Sequence, residues 1–390
     1  MSLSNITLTA AVRQNLLSLQ DTASLLATTQ GRLATGKKVN TALDNPTNFF
    51  TAAGLDSRAS DISNLLDSIG NGVQVLQAAN TGITSLSKLV DTAKSIANQV
   101  LQQPTGYTTR STTTSTVLPA GSTTANLVDG VAIKSGETVA FAAATGLPAL
   151  TVTFGATESL DQLNAALAAG NLTASLNSTN QLVISTTNDA ASSTIGAVTV
   201  GGTAGTATFG AVGAPVADPV SQATRASLVT QYNQILTQIT TTAQDASFNG
   251  INLLNGDTLK LVFDETGKST STINGVTFNP TGLGLKVLTS GTDFLDNNST
   301  NSVLAALNTA SITLRSQASA FGANLSIVQI RQDFNKNIIN VLQTGSSALT
   351  LADSNEEAAN SQALSTRQSI ATSALALANQ AQQNVLQLLR

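Results

Sequence analysis

VRQNLLSLQDTASLLATTQGRL, residues Val12 to Leu33, is the stretch whose reading decides the fold. Apolar or small side chains fall at Val12, Leu16, Leu19, Ala23, Leu26 and Leu33, with Gln30 in between, a 4-3-4-3 spacing. That is the heptad rhythm of a helix whose seam faces another helix. At 1.5 Å per residue it makes a rod of roughly 33 Å, and a lone helix of that length is marginal in water. It needs a mate, and the far end of the chain supplies one. Ile370, Ala374, Leu377, Ala381, Val385 and Leu388 repeat the rhythm with one four-residue slip. Two helical ends around a different middle predict ends that pack together and build a polymer.

Composition narrows the chemistry. The 390 residues suffice for two or three domains with a substantial core. Histidine, cysteine and tryptophan are absent, and aromatics make up 3%. Most zinc, haem and iron–sulfur ligation is thereby excluded, as are Cys–His and Ser–His–Asp nucleophiles and any disulfide. No cofactor is expected. The net charge of -4 comes with no Lys/Arg cluster along a face, so nucleic acid is not an expected partner. The N-terminus lacks the basic start, apolar run and cleavage site of a secretory signal, and no apolar run is long enough to span a bilayer.

Five segments follow in order. Residues 1–45 hold the first rod and a connector in which Gly36 and Pro46 interrupt helix, with Asp44 or Asn45 as the next helix start. Residues 46–104 are helical, with Leu55, Ala59, Ile62, Leu66, Ile69, Val73 and Leu76 on one stripe. Gly70-Asn71-Gly72 predicts a break into two helices, since two glycines cost roughly 2 kcal/mol against alanine. Residues 105–217 are rich in Thr, Ser, Ala and Gly and read as a β-rich insertion. Strands are expected at 150–154 and 181–185, and Ser159-Leu160-Asp161-Gln162 is a capping box opening a helix that Gly170 closes. The Gly201-to-Gly213 stretch reads as a flexible exit. Residues 218–350 hold a helix capped by Asp218-Pro219, strands at 259–263 and 271–278 with a tight turn at Asn274-Gly275, and helix from about Asn301. Residues 351–390 are the second rod. The fold class is α+β: long terminal helices forming coiled-coil and bundle layers with a β-hairpin, plus an inserted β-rich domain.

Three further signals carry little chemistry. Gly267-Lys268-Ser269 has the tail of a phosphate loop, but Val262 stands where that loop needs glycine and Asp264 and Glu265 stand where phosphate would come; a hairpin loop is the better reading. Glu356 and Glu357 are adjacent, so on a helix they point in different directions and read as a solvated face. Asn171-Leu172-Thr173 and Asn177-Ser178-Thr179 fit the N-glycosylation triplet, which is frequent by chance in so Thr-rich a chain.

Spaced motifs within 32–44, 72–82, 248–250 and 379–389 resemble in order those of bacterial flagellins, and Ser326-Ile327-Val328-Gln329-Ile330-Arg331-Gln332-Asp333-Phe334 looks like alphaproteobacterial ones in particular. Arg32-Leu33, Gly36, Lys38-Val39-Asn40, Ala42 and Asp44 match the family's connector motif. Gly72, Gln77 and Gly82 match its second helical block, and Phe248-Asn249-Gly250 with the following strand pair, Asn274-Gly275 included, is similar to its core hairpin. Asn379-Gln380 and Gln382 to Leu386 with Leu388-Leu389 match the closing signature. The resemblance covers roughly 1–104 and 219–390. It implies terminal rods paired as a coiled coil along a filament bore, an outer core layer, and a middle domain projecting outward. It implies a structural filament subunit for swimming motility, not an enzyme, located on the extracellular flagellum and exported unfolded without a cleaved signal. The implied partners are other copies of the chain, an export chaperone, a cap complex and hook-associated proteins. The metalloprotease insertion of some relatives needs histidine and is excluded, and Thr92 takes the place of the arginine read by the vertebrate innate receptor. Two other functions compete: a hook–filament junction protein, and a secreted adhesive protein whose Thr-rich middle grips a carbohydrate or host surface.

Overall fold

The computed structural model describes residues 10–203 and 205–388. The chain falls into two units. The first holds α1 (Ala10–Thr35), α6 (Ser354–Leu388), α2 (Pro46–Gln102) as far as Asn71, α5 (Asn297–Thr350) from Ile327 onward, and a short segment, Leu261–Ser271. Its compact apolar centre is small: Ala59, Ile62 and Leu342, flanked by Leu55, Ile338 and Ile339. Polar contacts supplement it. Arg58 Nε lies 2.5 Å from Glu265 Oε1, Asn335 Nδ2 donates to the Phe263 carbonyl at 2.9 Å, and the Arg331 guanidinium stands 5.9 Å over the Phe263 ring.

The second unit contains the rest of α2, α4 (Pro219–Asp245), the first half of α5 and the β-rich insertion. Its helices each bury one face: Leu76, Ile83, Leu86 and Val90 on α2, Leu228, Tyr232, Leu236 and Ile239 on α4, Leu307, Leu314 and Phe321 on α5. Tyr232 meets Phe294 edge to face at 5.9 Å, and burial pushes its phenol up to about 12. Asp218 caps α4 by accepting from Val220 N, with Pro219 at the first helical position.

The insertion enters through β1 (Tyr107–Thr109) and leaves through β8 (Val216–Ala217), which pair antiparallel. Between them stand two antiparallel three-stranded sheets. One runs β2 (Thr112–Val117), β6 (Gln181–Thr186), β5 (Leu172–Leu176) in spatial order. The other runs β4 (Leu150–Thr153), β3 (Glu137–Phe141), β7 (Val198–Gly202). A helix, α3 (Leu160–Leu167), starts at a reciprocal box in which Ser159 Oγ accepts from Gln162 N and Gln162 Oε1 accepts from Ser159 N. The apolar faces of these elements meet in one core that includes Phe141, Val152, Phe154, Leu163, Leu182 and Ile184.

Three sequence expectations are overturned. Helix α2 does not break at Gly70-Asn71-Gly72 but runs through. The flanking Ile69 and Val73 are both buried, and that outweighs a glycine cost of about 1 kcal/mol each. The Gly201–Gly213 stretch is not a loose exit. Thr206 N and Ala207 N donate to the carbonyls of Val131 and Ala132, and Gly210 N and Gly213 N to those of Thr114 and Thr112. Finally, Asn274-Gly275 makes no hairpin turn. The hairpin joins β9 (Thr258–Val262) to β10 (Thr270–Asn274) through the 263–269 loop, where Phe263 N donates to Ser269 O and the Asp264 carboxylate accepts from Ser269 N. The Thr266 hydroxyl, and then that Ser269 amide, hold the Asp264 carboxyl below its ordinary range. The Gly267-Lys268-Ser269 run thus sits in the hairpin loop.

Candidate assembly surface

The connector is built by its own side chains. Helix α1 ends at Gly36, whose φ of +67° is the left-handed stop that glycine adopts without strain. Lys38 N and Val39 N then donate to Thr350 O, at 2.7 and 3.3 Å, and Ala352 N donates back to Gly36 O. The Asp44 carboxylate accepts from Thr41 N at 2.8 Å and Asn40 N at 2.9 Å, while Asn40 Nδ2 donates to Lys37 O. Those two amides, Thr41 first, hold the Asp44 carboxyl below the usual range. Asn45, not Asp44, caps α2, accepting from Asn48 N at 3.0 Å. Leu43 stands on this tied turn 95% exposed. The connector residues singled out by sequence, Arg32, Gly36, Lys38, Asn40 and Asp44, all meet in this arrangement through side chain or backbone, Lys38 by its backbone alone with its side chain exposed.

From the connector, α1 and α6 run side by side and antiparallel. Arg32 Nη1 reaches Glu357 Oε1 at 3.3 Å, joining the end of one helix to the start of the other. The seam is not the pair of apolar stripes read from the sequence. On α1 the covered positions are Val12, Asn15, Leu19, Thr22, Leu26 and Thr29, with Ala23 half-buried beside Thr22; on α6 they are Glu357, Ser361, Leu364, Gln368, Ala371, Leu375 and Ala378. Both sets keep heptad spacing, but they mix threonine, asparagine, serine and alanine with leucine. The Thr22 hydroxyl is satisfied by Ser18 O at 2.7 Å, so it enters the seam without an orphaned donor.

The stripes predicted to face each other are therefore divided. Val12, Leu19 and Leu26 lie in the seam, while Leu16 and Leu33 are exposed, together with Leu17 and Leu25. On α6, Ile370 and Leu377 are 65% and 70% exposed, one heptad apart, lining an apolar groove with Ala374. The side chains of Val385 and Leu388 lie outside the described residues. Glu357 departs from expectation too, because it is buried in the seam rather than solvated. The physical reason is packing distance: small and short polar residues let two helices approach, which leaves the bulky aliphatics on the flanks. The lower half of α5 carries a further outward row, Ile327, Ile330, Phe334 and Val341. Sequence reading missed Thr22, Thr29 and Leu43. The signal for the threonines was their heptad offset from Val12, and Leu43 had none.

The predicted hairpin residues separate likewise. Phe248 and Ile251 exchange two backbone hydrogen bonds at 3.0 Å around Asn249 and Gly250, whose φ values of 50° and 79° make a two-residue tight turn. Asn252 fastens this turn by donating to Ala243 O and Gln244 O at the end of α4. Asn274 and Gly275 stand elsewhere, at the end of β10. There Gly275 is needed for close approach, since a Cβ would meet Asp257 O at 2.4 Å and Leu253 O at 2.5 Å.

Comparison with known proteins gives this geometry a context. Residues 6–117 match the bacterial flagellin N-terminal helical region and residues 304–389 the bacterial flagellin C-terminal helical region, together about half of the chain. Flagellin FljM of Caulobacter vibrioides is 28% identical over 165 residues, 42% of this chain and 59% of the relative. Flagellin FljO of the same organism is 27% identical over 172 residues, 44% and 62%. Flagellin A of Rhizobium meliloti is 33% identical over 90 residues, 23% of each. The chain thus spans about three-fifths of the length of the Caulobacter relatives it matches. Among the described residues no helix is long and apolar enough to cross a membrane.

Proposed function

The chain belongs to the bacterial flagellin family, and on that premise we propose that it polymerises into the extracellular filament that drives swimming. The observation that carries the proposal is the outward placement of Leu16, Leu33, Ile370 and Leu377 on rods that already have each other as mates. A two-helix pair with polar residues in its seam buries little, at roughly 25 cal/mol per Å² of apolar surface, against about 1–2 kcal/mol of backbone entropy per residue. Further copies, covering the outward rows, supply the missing burial. A head-to-tail contact that does not close then propagates as a helix. The role is structural, with no reaction assigned to any residue.

The segments act as a connector and terminal rods for assembly, with the middle insertion as a surface module. Export through the flagellar apparatus, a chaperone holding the C-terminal rod, a cap complex and hook-associated neighbours complete the proposal, by family analogy. Electron microscopy of the purified chain after mild salting-out, with seeded extension, tests it. Indefinite growth is the expected result. Growth that stops after one layer assigns the chain to the hook junction instead, and no growth on any seed refutes assembly.

A further inference from the structure

Within the second unit, a cleft of about 480 Å³ opens between the β-rich insertion and the first turns of α5. That is within the roughly 300–1,000 Å³ range of small-molecule sites. Its walls mix polar and apolar surface about equally and are uncharged except at one point: Thr145 and Gly146 on one side, Ser193 on another, and Asp296, Asn298 and Ser302 on the third. Ser193 is 7% exposed, and its hydroxyl has no hydrogen-bond partner among the described residues. A hydroxyl on a cavity wall that no protein group engages can exchange hydrogen bonds with a ligand in place of water. Gly146 keeps the space in front of it open, because a Cβ there would stand 2.4 Å from Ser193 Oγ.

Asp296 is buried at the floor, accepting from Ser192 Oγ and from Ser299 N at 2.9 Å, and each carboxylate oxygen has a second lone-pair direction to offer. The lining selects by exclusion. It contains no lysine or arginine to receive an anion and no aromatic or large aliphatic side chain to hold an apolar ligand. A single carboxylate does not assemble a divalent-ion cage, and no group of three acidic ligands occurs among the described residues. Among uncharged ligands the lining suits one dense in hydroxyls, which donates to Asp296 and exchanges hydrogen bonds with Ser193, Thr145 and Asn298.

We propose that the cleft between the 144–146 and 192–194 loops and the start of α5 binds a neutral saccharide unit. This adds a carbohydrate-recognition function to the insertion and stands whether or not the chain polymerises. Saturation-transfer NMR on the full-length chain tests it, using methyl glucoside, methyl galactoside, N-acetylglucosamine and maltose, with galacturonate as the anionic counterpart. At least one neutral sugar should bind and galacturonate should bind more weakly. Ser302→Phe, an exposed position at the cleft, should abolish the signal with an unchanged melt, and Ser193→Ala should weaken binding about tenfold. No neutral sugar bound at about 10 mM, in the weak range where such contacts register, overturns the proposal. So does a Ser302→Phe chain that binds like the parent, or galacturonate bound as well as the neutral sugars.

Discussion

Replacing both Ile370 and Leu377 by glutamine separates the strength of the subunit from the strength of the polymer. In the lone chain these side chains are 65% and 70% exposed, so removing them loses little burial, and glutamine matches leucine in helix propensity. Covering an aliphatic side chain completely is worth about 1.5–3 kcal/mol, and about two-thirds of that remains to be gained here. Each residue then contributes about 1–2 kcal/mol on assembly, and the pair about 2–4. At about 1.4 kcal/mol per factor of ten, the critical concentration should rise by about 30- to 700-fold. Sedimentation of seeded filaments across a concentration series measures it, with a circular-dichroism melt of the unassembled chain as control. A critical concentration within about threefold of the parent, with the melt unchanged, refutes the assignment of these rows to subunit contacts.

Other consequences can be checked in the unassembled chain. Gly82→Ala brings a methyl to 2.5 Å from Leu254 Cδ1 and 2.6 Å from Ala246 Cβ, so overpacking of about 1–3 kcal/mol should outweigh the gain in helix propensity and lower the thermal midpoint. Arg225→Leu strands three backbone carbonyls, those of Gln103, Pro104 and Phe294, and urea unfolding should show a loss of about 3 kcal/mol or more. The Asp44 carboxyl is held low in the folded chain, so its contribution is complete above the unfolded value and is lost as pH falls through the folded one. Carboxyl NMR should accordingly find Asp44 titrating below the unstructured aspartates, and Asn40 and Thr41 amide protection fading with it in acid.

Much of the fold was legible because helix period and capping chemistry are local. The two rods, the box at Ser159 and Gln162, and the Asp218-Pro219 start all follow from residues within a turn of one another. What was not legible depended on distant partners. Burial of Ile69 and Val73 overrides Gly70 and Gly72, and no local rule weighs those terms. The tight-turn signal at Asn274-Gly275 was spent on a close backbone approach to Leu253 and Asp257, which sequence spacing does not reveal. For the rods, periodicity gave the heptad but not the face. On α6 two registers, offset by one residue, both satisfy it and the bulkier one points outward; on α1 the expected and observed seams share Val12, Leu19 and Leu26, and Asn15 rather than Leu16 is covered.

The stem of the insertion has an evolutionary corollary. Chain entry and exit are tied to each other, Asp218 N to Gly106 O at 2.9 Å, and the Arg225 guanidinium clasps the carbonyls of Gln103 and Pro104 just before the stem. Everything between joins the chain through a single clamped stem, with the Ser192–Asp296 hydrogen bond as a side tie, so its length and topology can change without altering the spacing demanded of the helices below. A lineage can therefore exchange the whole ornament for another, or delete it, as one heritable swap. The hydroxyl-lined cleft would vanish with it, since two of its three walls travel with the exchanged piece.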